Sequence, residues 1–245
     1  MKLQHCTWIA ATACALAAPA AARPPARQPA LPEIEQRIVD GTNRLRQAAG
    51  RGAAAPNAQL EAAARGFAEF MARTDQYGHQ ADGRQAAQRT QERGYAHCMM
   101  AENIAYQFSS ARFRSEELAD QFVQGWRDSP GHRRNMLDPD ATETGVAVAR
   151  SPKSGRYYAV QLFARPQALR IRFEIGNRGN ATVHYVLDEQ SFELPPRVTR
   201  THEQCRAARL VLRLPGDAEP VSLQPADGER WRVERTNARW HVQRG

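Results

Sequence analysis

Apolar residues recur every three or four positions through the first part of the chain, which is the spacing of one face of an α-helix. The first such face ends near Gly50 and consists of Ile34, Ile38, Thr42 and Leu45. The second begins near Asn57 and consists of Leu60, Ala64, Phe67 and Met71. A third helical segment covers residues 84–93 and is predicted to end at Gly94, because glycine commonly follows the last turn of a helix.

A fourth helix is predicted to begin at Ser115, whose hydroxyl suits the N-cap position. Its apolar face has four-residue spacing and consists of Leu118, Phe122 and Trp126. Directly after it, Ser129 and Pro130 predict the cap and the first residue of another short helix, because the missing N–H of proline costs nothing there.

From Thr144 onward the pattern changes to that of β-strands. Residues 145–149 and 157–163 are apolar runs separated by SPKSG, a combination that predicts a β-hairpin. Residues 99–106 form a further short apolar run, which we interpret as a strand or a strand-like loop. Up to about residue 165 the pattern therefore predicts helices enclosing an antiparallel sheet.

Beyond Pro166 the strands become short and closely spaced. Leu169, Ile171, Phe173 and Ile175 alternate with charged residues, which predicts a strand buried on one face. Further predicted strands cover 182–187, 191–194, 209–214, 221–223, 231–234 and 239–242. Turn sequences such as Asp227-Gly228 separate them, so we expect residues 167–245 to form a small all-β, sandwich-like domain.

The N-terminus has the pattern of a secretory signal peptide. Lys2 precedes an apolar run over residues 8–18, and three alanines precede Arg23. The run is shorter than the ~20 residues of a membrane span. We therefore predict a signal peptide over residues 1–22, a proline-rich linker over 23–32, and a secreted or periplasmic protein without a transmembrane segment. Cys14 lacks the preceding residue pattern of a lipidated cysteine, which argues against a lipoprotein.

The cysteines indicate a possible disulfide, and the net charge bears on which ligands the protein could bind. Two of the four cysteines, Cys98 and Cys205, lie outside the predicted signal peptide. An oxidising compartment makes them a disulfide candidate, with two separate buried thiols as the alternative.

The net charge of +8 would favour binding to anionic envelope polymers, lipid headgroups or nucleic acid. However, the arginines are scattered among glutamates without a block of like charge, which argues against a dedicated polyanion site, including one for nucleic acid.

Common catalytic motifs are incomplete in this sequence. Ser129 lacks the first glycine of the G-x-S-x-G nucleophile elbow. His202 and Glu203 begin like the helix of a zinc protease, but Arg206 occupies the place of the second histidine. The candidates that remain are His79 in GHQADG, Glu102 in AENIAY and His132 in SPGHRRNML.

These three segments, together with WRDSPGHRRNML as a whole and the closing YYAVQLFARP, resemble the CAP superfamily in order and separation. This superfamily comprises secreted proteins related to plant pathogenesis-related protein 1 and to venom cysteine-rich secretory proteins. The resemblance covers about residues 34–165. It implies an α+β protein with a CAP-type α-β-α sandwich over residues 33–166, followed by the β domain.

The resemblance also implies a cleft in which two histidines and two glutamates can bind a divalent metal, often zinc. His79 matches the first histidine and Glu102 matches the glutamate of the family motif. His132 belongs to the bacterial form of the motif and is not shown to replace the second histidine. No glutamate follows Trp126 where the second acid usually stands, and Asp128 is the nearest substitute.

Three functions fit the sequence. The leading hypothesis is an exported bacterial CAP-domain protein, expected to be a monomer, that binds a lipid, polymer or protein outside the cytoplasm. The second is a metal-dependent hydrolase, such as a peptidase, in which His79 and His132 bind zinc and Glu102 is a ligand or general base. The third is a binder of anionic envelope polymers through its arginines. A purely structural His79–Glu102 hydrogen bond is the alternative to any metal site.

Overall fold

The structure, a computed structural model, describes residues 28–216 and 219–245. The predicted signal peptide and residues 23–27 of the predicted linker lie outside the described residues. The helices are α1 Leu31–Ala48, α2 Ala58–Thr74, α3 Ala86–Gln91, α4 Ser115–Asp128 and α5 Pro130–Met136. The strands of the same region are β1 Ala55–Pro56, β2 His97–Gln107, β3 Glu143–Arg150 and β4 Tyr157–Pro166.

Strands β1 to β4 form one sheet in the order β1-β3-β4-β2, with helices on both of its faces. Residues of β3 alternate between the faces, as the two-residue period of a strand requires. Val146 and Val148 pack with α1 and α4 on one face, whereas Ala147 and Ala149 pack with α2 on the other. The α-β-α sandwich is therefore confirmed.

Helix α2 packs closely against the sheet at Gly145. A Cβ atom at this position would lie 2.3 Å from the carbonyl carbon of Leu60 and 2.4 Å from the amide nitrogen of Glu61. Only glycine fits between the strand and the first turn of α2.

The second half of the chain forms two four-stranded sheets around one core. Its strands are β5 Ile171–Asn177, β6 Val183–Leu187, β7 Gln190–Leu194, β8 Thr199–Gln204, β9 Leu210–Arg213, β10 Val221–Leu223, β11 Arg230–Thr236 and β12 Arg239–Arg244. The sheet orders are β10-β9-β6-β7 and β12-β11-β5-β8. Both sheets contribute to a single apolar cluster that includes Phe173, Tyr185 and Leu212. The predicted all-β, sandwich-like region is confirmed.

The structure corrects several details of the prediction. The N-cap of α4 is Arg114 and not Ser115, whose hydroxyl instead accepts a hydrogen bond from the backbone N–H of Ala30. Helix α1 begins at Leu31, two residues inside the predicted linker, because Pro32 is well tolerated in a first turn. Strand β8 was missed because its sequence, TRTHEQ, contains no apolar alternation.

The disulfide between Cys98 and Cys205 is present, with 5.3 Å between the Cα atoms. It joins β2 of the helical region to the residue that follows β8. Close to it, the guanidinium of Arg206 donates hydrogen bonds to the carboxylates of Asp138 and Asp140. The β-sandwich is thus attached to the helical region by a covalent bond and an ion-pair cluster. Among the described residues, no helix is long and apolar enough to cross a membrane.

Candidate functional site

The candidate site lies in the middle of β2, where three hydrogen bonds connect the strand to the segment WRDSPGHRRNML. In α4, Nε1 of Trp126 donates to the carbonyl of Ile104 at 3.2 Å. In α5, Nδ2 of Asn135 donates to the carbonyl of Glu102 at 3.2 Å, and the carbonyl of His132 accepts from Asn103. WRDSPGHRRNML therefore holds the strand segment that presents Glu102.

Glu102 is almost fully enclosed, with 5% of its side chain exposed. Its Oε1 atom lies 2.8 Å from Nδ1 of His79, and its Oε2 atom accepts a 2.6 Å hydrogen bond from Nη2 of Arg89. The carboxylate thus has a cationic partner on one oxygen and an imidazole on the other. These contacts satisfy a buried charge that would otherwise be costly.

Arg89, on α3, is the residue that sequence reasoning missed. Its guanidinium lies 3.6 Å from the centroid of the Phe67 ring, and Nη1 donates to Asp82 at 2.9 Å and to the carbonyl of Arg84 at 2.7 Å. It also contacts the carbonyl of His79. In sequence, an arginine among polar residues in a short helix is typical of an exposed face, so no pattern distinguishes Arg89 from the other arginines.

The two candidate histidines have opposite electrostatic surroundings. The hydrogen bond to Glu102 raises the pKa of His79 above its ordinary value, against the opposing effects of burial and of Arg89. Burial lowers the pKa of His132, and the charge of His79 lowers it further. A proton is therefore favoured on His79 over His132.

Asp128, the predicted substitute for the second acid, does not join this cluster. It ends α4 with 61% of its side chain exposed, and its carboxylate accepts from Gln124 at 2.5 Å and lies 3.5 Å from Nε of Arg127. Both partners belong to its own helix. The described structure thus brings His79, Glu102 and Arg89 into direct contact, places His132 nearby, and leaves Asp128 outside.

This donor set does not fit a zinc ion. Zinc sites need at least three ligand atoms with free lone pairs at about 2 Å from the metal. Here both oxygens of Glu102 are engaged, and Arg89 brings a positive charge next to them. Over residues 28–216 and 219–245, no three His, Cys, Asp or Glu side chains converge as metal ligands would. We therefore derive no metal-dependent step from this site.

An exposed aromatic group lies beside the loop that carries His79. Tyr77 is 48% exposed, Tyr106 44% and Phe108 58%. The rings of Tyr77 and Tyr106 meet edge to face with centroids 5.1 Å apart, and the hydroxyl of Tyr77 donates to the carbonyl of Ile104. The guanidinium of Arg156 lies 5.0 Å from the Tyr106 centroid. We call Tyr77, Tyr106, Phe108 and Arg156 the aromatic face.

The fold is an α-β-α sandwich in which Glu102 of the edge strand β2 pairs with His79 of the loop after α2, and the W…SPGH…N segment holds that strand. The chain matches the model of the Cysteine-rich secretory protein family, CAP, over residues 39–163. It belongs to this family.

Solved structures of similar proteins include several from bacteria. One is an extracellular protein containing an SCP domain from Bacillus anthracis, with 27% identity and a TM-score of 0.47, which covers 55% of this chain and 41% of that protein. Another is an outer surface protein from Borrelia burgdorferi, with 17% identity, a TM-score of 0.49, and 55% and 94% coverage. A third is a cysteine-rich secretory protein from Staphylococcus aureus, with 19% identity, a TM-score of 0.42, and 55% and 39% coverage.

These matches cover only about half of this chain, and the first one corresponds to less than half of its relative. No curated protein matches the chain. Membership of the CAP family is thus established, and the ligand has to be argued from the residues themselves.

Proposed function

We propose that this protein is an exported bacterial CAP-domain protein that binds an anionic lipid surface outside the cytoplasm, and that it does so without hydrolysing a substrate. The observation that carries the proposal against hydrolysis is the engagement of Glu102. Each carboxylate oxygen already accepts a hydrogen bond, one from His79 and one from Arg89, so a zinc ion or a substrate proton would have to compete with both contacts and with the adjacent guanidinium charge.

In this proposal the His79–Glu102–Arg89 cluster has a positioning role. Arg89 contacts Asp82 and the carbonyl of His79, both in the loop after α2, so the cluster fixes that loop against β2. The same loop carries Tyr77. The buried ion pair therefore holds one part of the aromatic face in place.

The aromatic face favours a lipid surface among the ligand classes considered. Tyrosine and phenylalanine rings insert readily at the boundary between headgroups and acyl chains. Arg156, together with Lys153 on the same β3–β4 hairpin, adds positive charge at this end of the sheet. A surface that combines exposed rings with cations suits negatively charged headgroups.

Vesicle sedimentation tests this proposal. The chain from residue 23 onward should sediment with vesicles of phosphatidylcholine and phosphatidylglycerol, less with phosphatidylcholine alone, and less at high salt. Tyr106→Ala with Phe108→Ala should weaken binding about tenfold or more, since each ring buries apolar area worth roughly 1–2 kcal/mol. Leu169→Ala is the matched control, because Leu169 is similarly exposed but lies outside the aromatic face. Equal binding by the double variant and the wild type would overturn the proposal.

Zinc analysis tests the hydrolase alternative separately. Protein purified without a histidine tag should contain zinc well below one equivalent, and His79→Ala and His132→Ala should leave that content unchanged. One equivalent of zinc that both substitutions remove, accompanied by peptide hydrolysis that zinc restores, would replace the binding proposal with the hydrolase.

A further inference from the structure

A pocket at one end of the β-sandwich is lined by three arginines. It has a volume of about 660 Å³ and is formed by Arg178, Gly179, Asn180, Pro196, Arg197 and Arg235. No acidic residue lines it. Within the described residues, none of the three guanidiniums makes an ion pair, and the one hydrogen bond among them runs from Nε of Arg235 to the carbonyl of Ala238 at 3.4 Å.

The three arginines come from separate parts of the fold, and a single buried residue, Asn177, connects the segments that carry two of them. Asn177, 1% exposed, donates through Nδ2 to the carbonyls of Ala181 and Leu194, and its Oδ1 accepts from the N–H of Gly179. Its backbone carbonyl accepts from the N–H of Arg197 at 2.8 Å. Asn177 therefore fixes both the loop with Arg178 and the turn with Arg197.

The loop with Arg178 is also fixed by its contact with Trp240. A Cβ atom at Gly179 would lie 2.2 Å from the ring of Trp240, so the backbone rests directly on the indole. Trp240 is paired across the β11–β12 hairpin with Arg235, the third arginine of the pocket. The backbone that carries Arg178 and Arg235 is thus fixed by packed side chains, while the three arginine side chains are exposed and open to a ligand.

The backbone at Arg197 is unusual for a residue with a side chain. Its φ is 65°, and the N–H of Val198 donates to the carbonyl of Pro195, which makes Arg197 the third residue of a tight turn. This position favours glycine, because a Cβ atom is strained at positive φ. An arginine here places a guanidinium at the pocket at some cost in stability, which points to a role of the side chain itself.

We propose that this pocket binds a phosphate group of an extracytoplasmic ligand. Guanidinium forks match phosphate oxygens in geometry, and three of them complement a doubly charged tetrahedral anion better than a planar, singly charged carboxylate. The volume leaves room for a sugar or a second phosphate attached to the first. The site lies in the β-sandwich and is independent of the aromatic face.

Titration calorimetry with pyrophosphate tests the proposal. The chain from residue 23 onward should bind one pyrophosphate, more tightly than acetate, and more weakly as NaCl rises. Arg178→Ala should reduce affinity about tenfold or more, the loss expected for one charge-assisted hydrogen bond. Arg213→Ala, an exposed arginine on another strand of the same domain, is the matched control and should bind like the wild type.

Arg197→Gly separates binding from folding. Glycine relieves the strain at positive φ, so this variant should be at least as stable as the wild type and still lose about tenfold in pyrophosphate affinity. Absence of saturable binding, or equal losses in Arg213→Ala and Arg178→Ala, would overturn the proposal.

The source of the phosphate is distinguished with two further probes. Glucose 6-phosphate represents a phosphorylated polymer, and phosphatidylglycerol vesicles represent a lipid headgroup. The vesicle experiment uses the Tyr106→Ala, Phe108→Ala variant, so that residual binding reports on the arginine pocket alone. Binding of either probe that Arg197→Gly removes supports the site and identifies its source, whereas binding of both probes that survives Arg197→Gly contradicts it.

Discussion

The guanidinium of Arg89 donates a 2.6 Å hydrogen bond to Oε2 of Glu102, and about 95% of each side chain is enclosed by protein, with 4% and 5% exposed. Replacing Arg89 by methionine should lower the free energy of unfolding by about 3–5 kcal/mol, because Glu102 would be left as a buried charge with only an imidazole partner. Urea denaturation monitored by circular dichroism measures this change.

The double variant Arg89→Met, Glu102→Gln supplies the control for that measurement. It removes both charges, so it should be more stable than Arg89→Met alone. A loss below about 1 kcal/mol for the single variant would show that the pair is not an important buried contact.

The pKa of His79 should depend on its partner. Its hydrogen bond to Glu102 raises the pKa in the folded state, so the stabilisation is fully present below the unfolded value near 6.5 and is lost as the pH rises through the folded pKa. The side chain is 57% exposed, so solvent limits the contribution to less than about 1 kcal/mol.

NMR titration of the imidazole C–H signals measures these values directly. His79 should titrate above, and His132 below, the ordinary histidine pKa, since burial and the charge of His79 both lower the pKa of His132. In Glu102→Gln the pKa of His79 should fall. An unchanged His79 pKa in this variant would contradict the assigned hydrogen bond.

Gly145 and Gly125 should respond in opposite ways to alanine. At Gly145 the new Cβ atom would overlap the backbone of α2, so Gly145→Ala should destabilise the protein by at least about 2 kcal/mol. At Gly125, on the exposed side of α4, nothing lies within 4 Å, and alanine should stabilise the helix by about 0.5–1 kcal/mol. Thermal unfolding of both variants tests the contrast, and two variants of equal stability would be inconsistent with the close packing of α2 on β3.

The Cys98–Cys205 bond should account for both thiols of the chain from residue 23 onward. Titration with a thiol reagent should detect none before reduction and two after it. Because the bond closes a separation of 107 residues, replacing both cysteines by alanine should lower the free energy of unfolding by about 2–5 kcal/mol. Two reactive thiols in the native protein would rule the bond out.

Periodic patterns predicted the elements that bury a continuous apolar face. The helical spacing of Leu118, Phe122 and Trp126 identified α4, and the apolar run over residues 145–149 identified β3 as a strand. Strand β8 was not predicted because its side chains are polar and partly exposed. Backbone pairing with β5 holds it in the sheet, and the sequence carries no pattern for that pairing.

The candidate site was predictable only where a motif marks it. His79 and Glu102 were found through their segments, and they do meet at 2.8 Å. Arg89 and Asn177 were not found, since each owes its role to partners that are distant in sequence or to backbone groups. The left-handed backbone conformation of Arg197 likewise could not be predicted, because an arginine gives no sequence signal for a positive φ.

Asp138 accepts hydrogen bonds from two arginines, one in each half of the chain. Its backbone carbonyl accepts from Arg46, a residue of α1 that is 1% exposed, and its carboxylate accepts from Arg206 of the β-sandwich. Arg46 also donates to the carbonyls of Met136 and Ala141, which bracket the end of α5. Force applied to the β-sandwich would therefore act on the loop after the His132 helix through Arg206, and on β2, the strand of Glu102, through the Cys98–Cys205 bond.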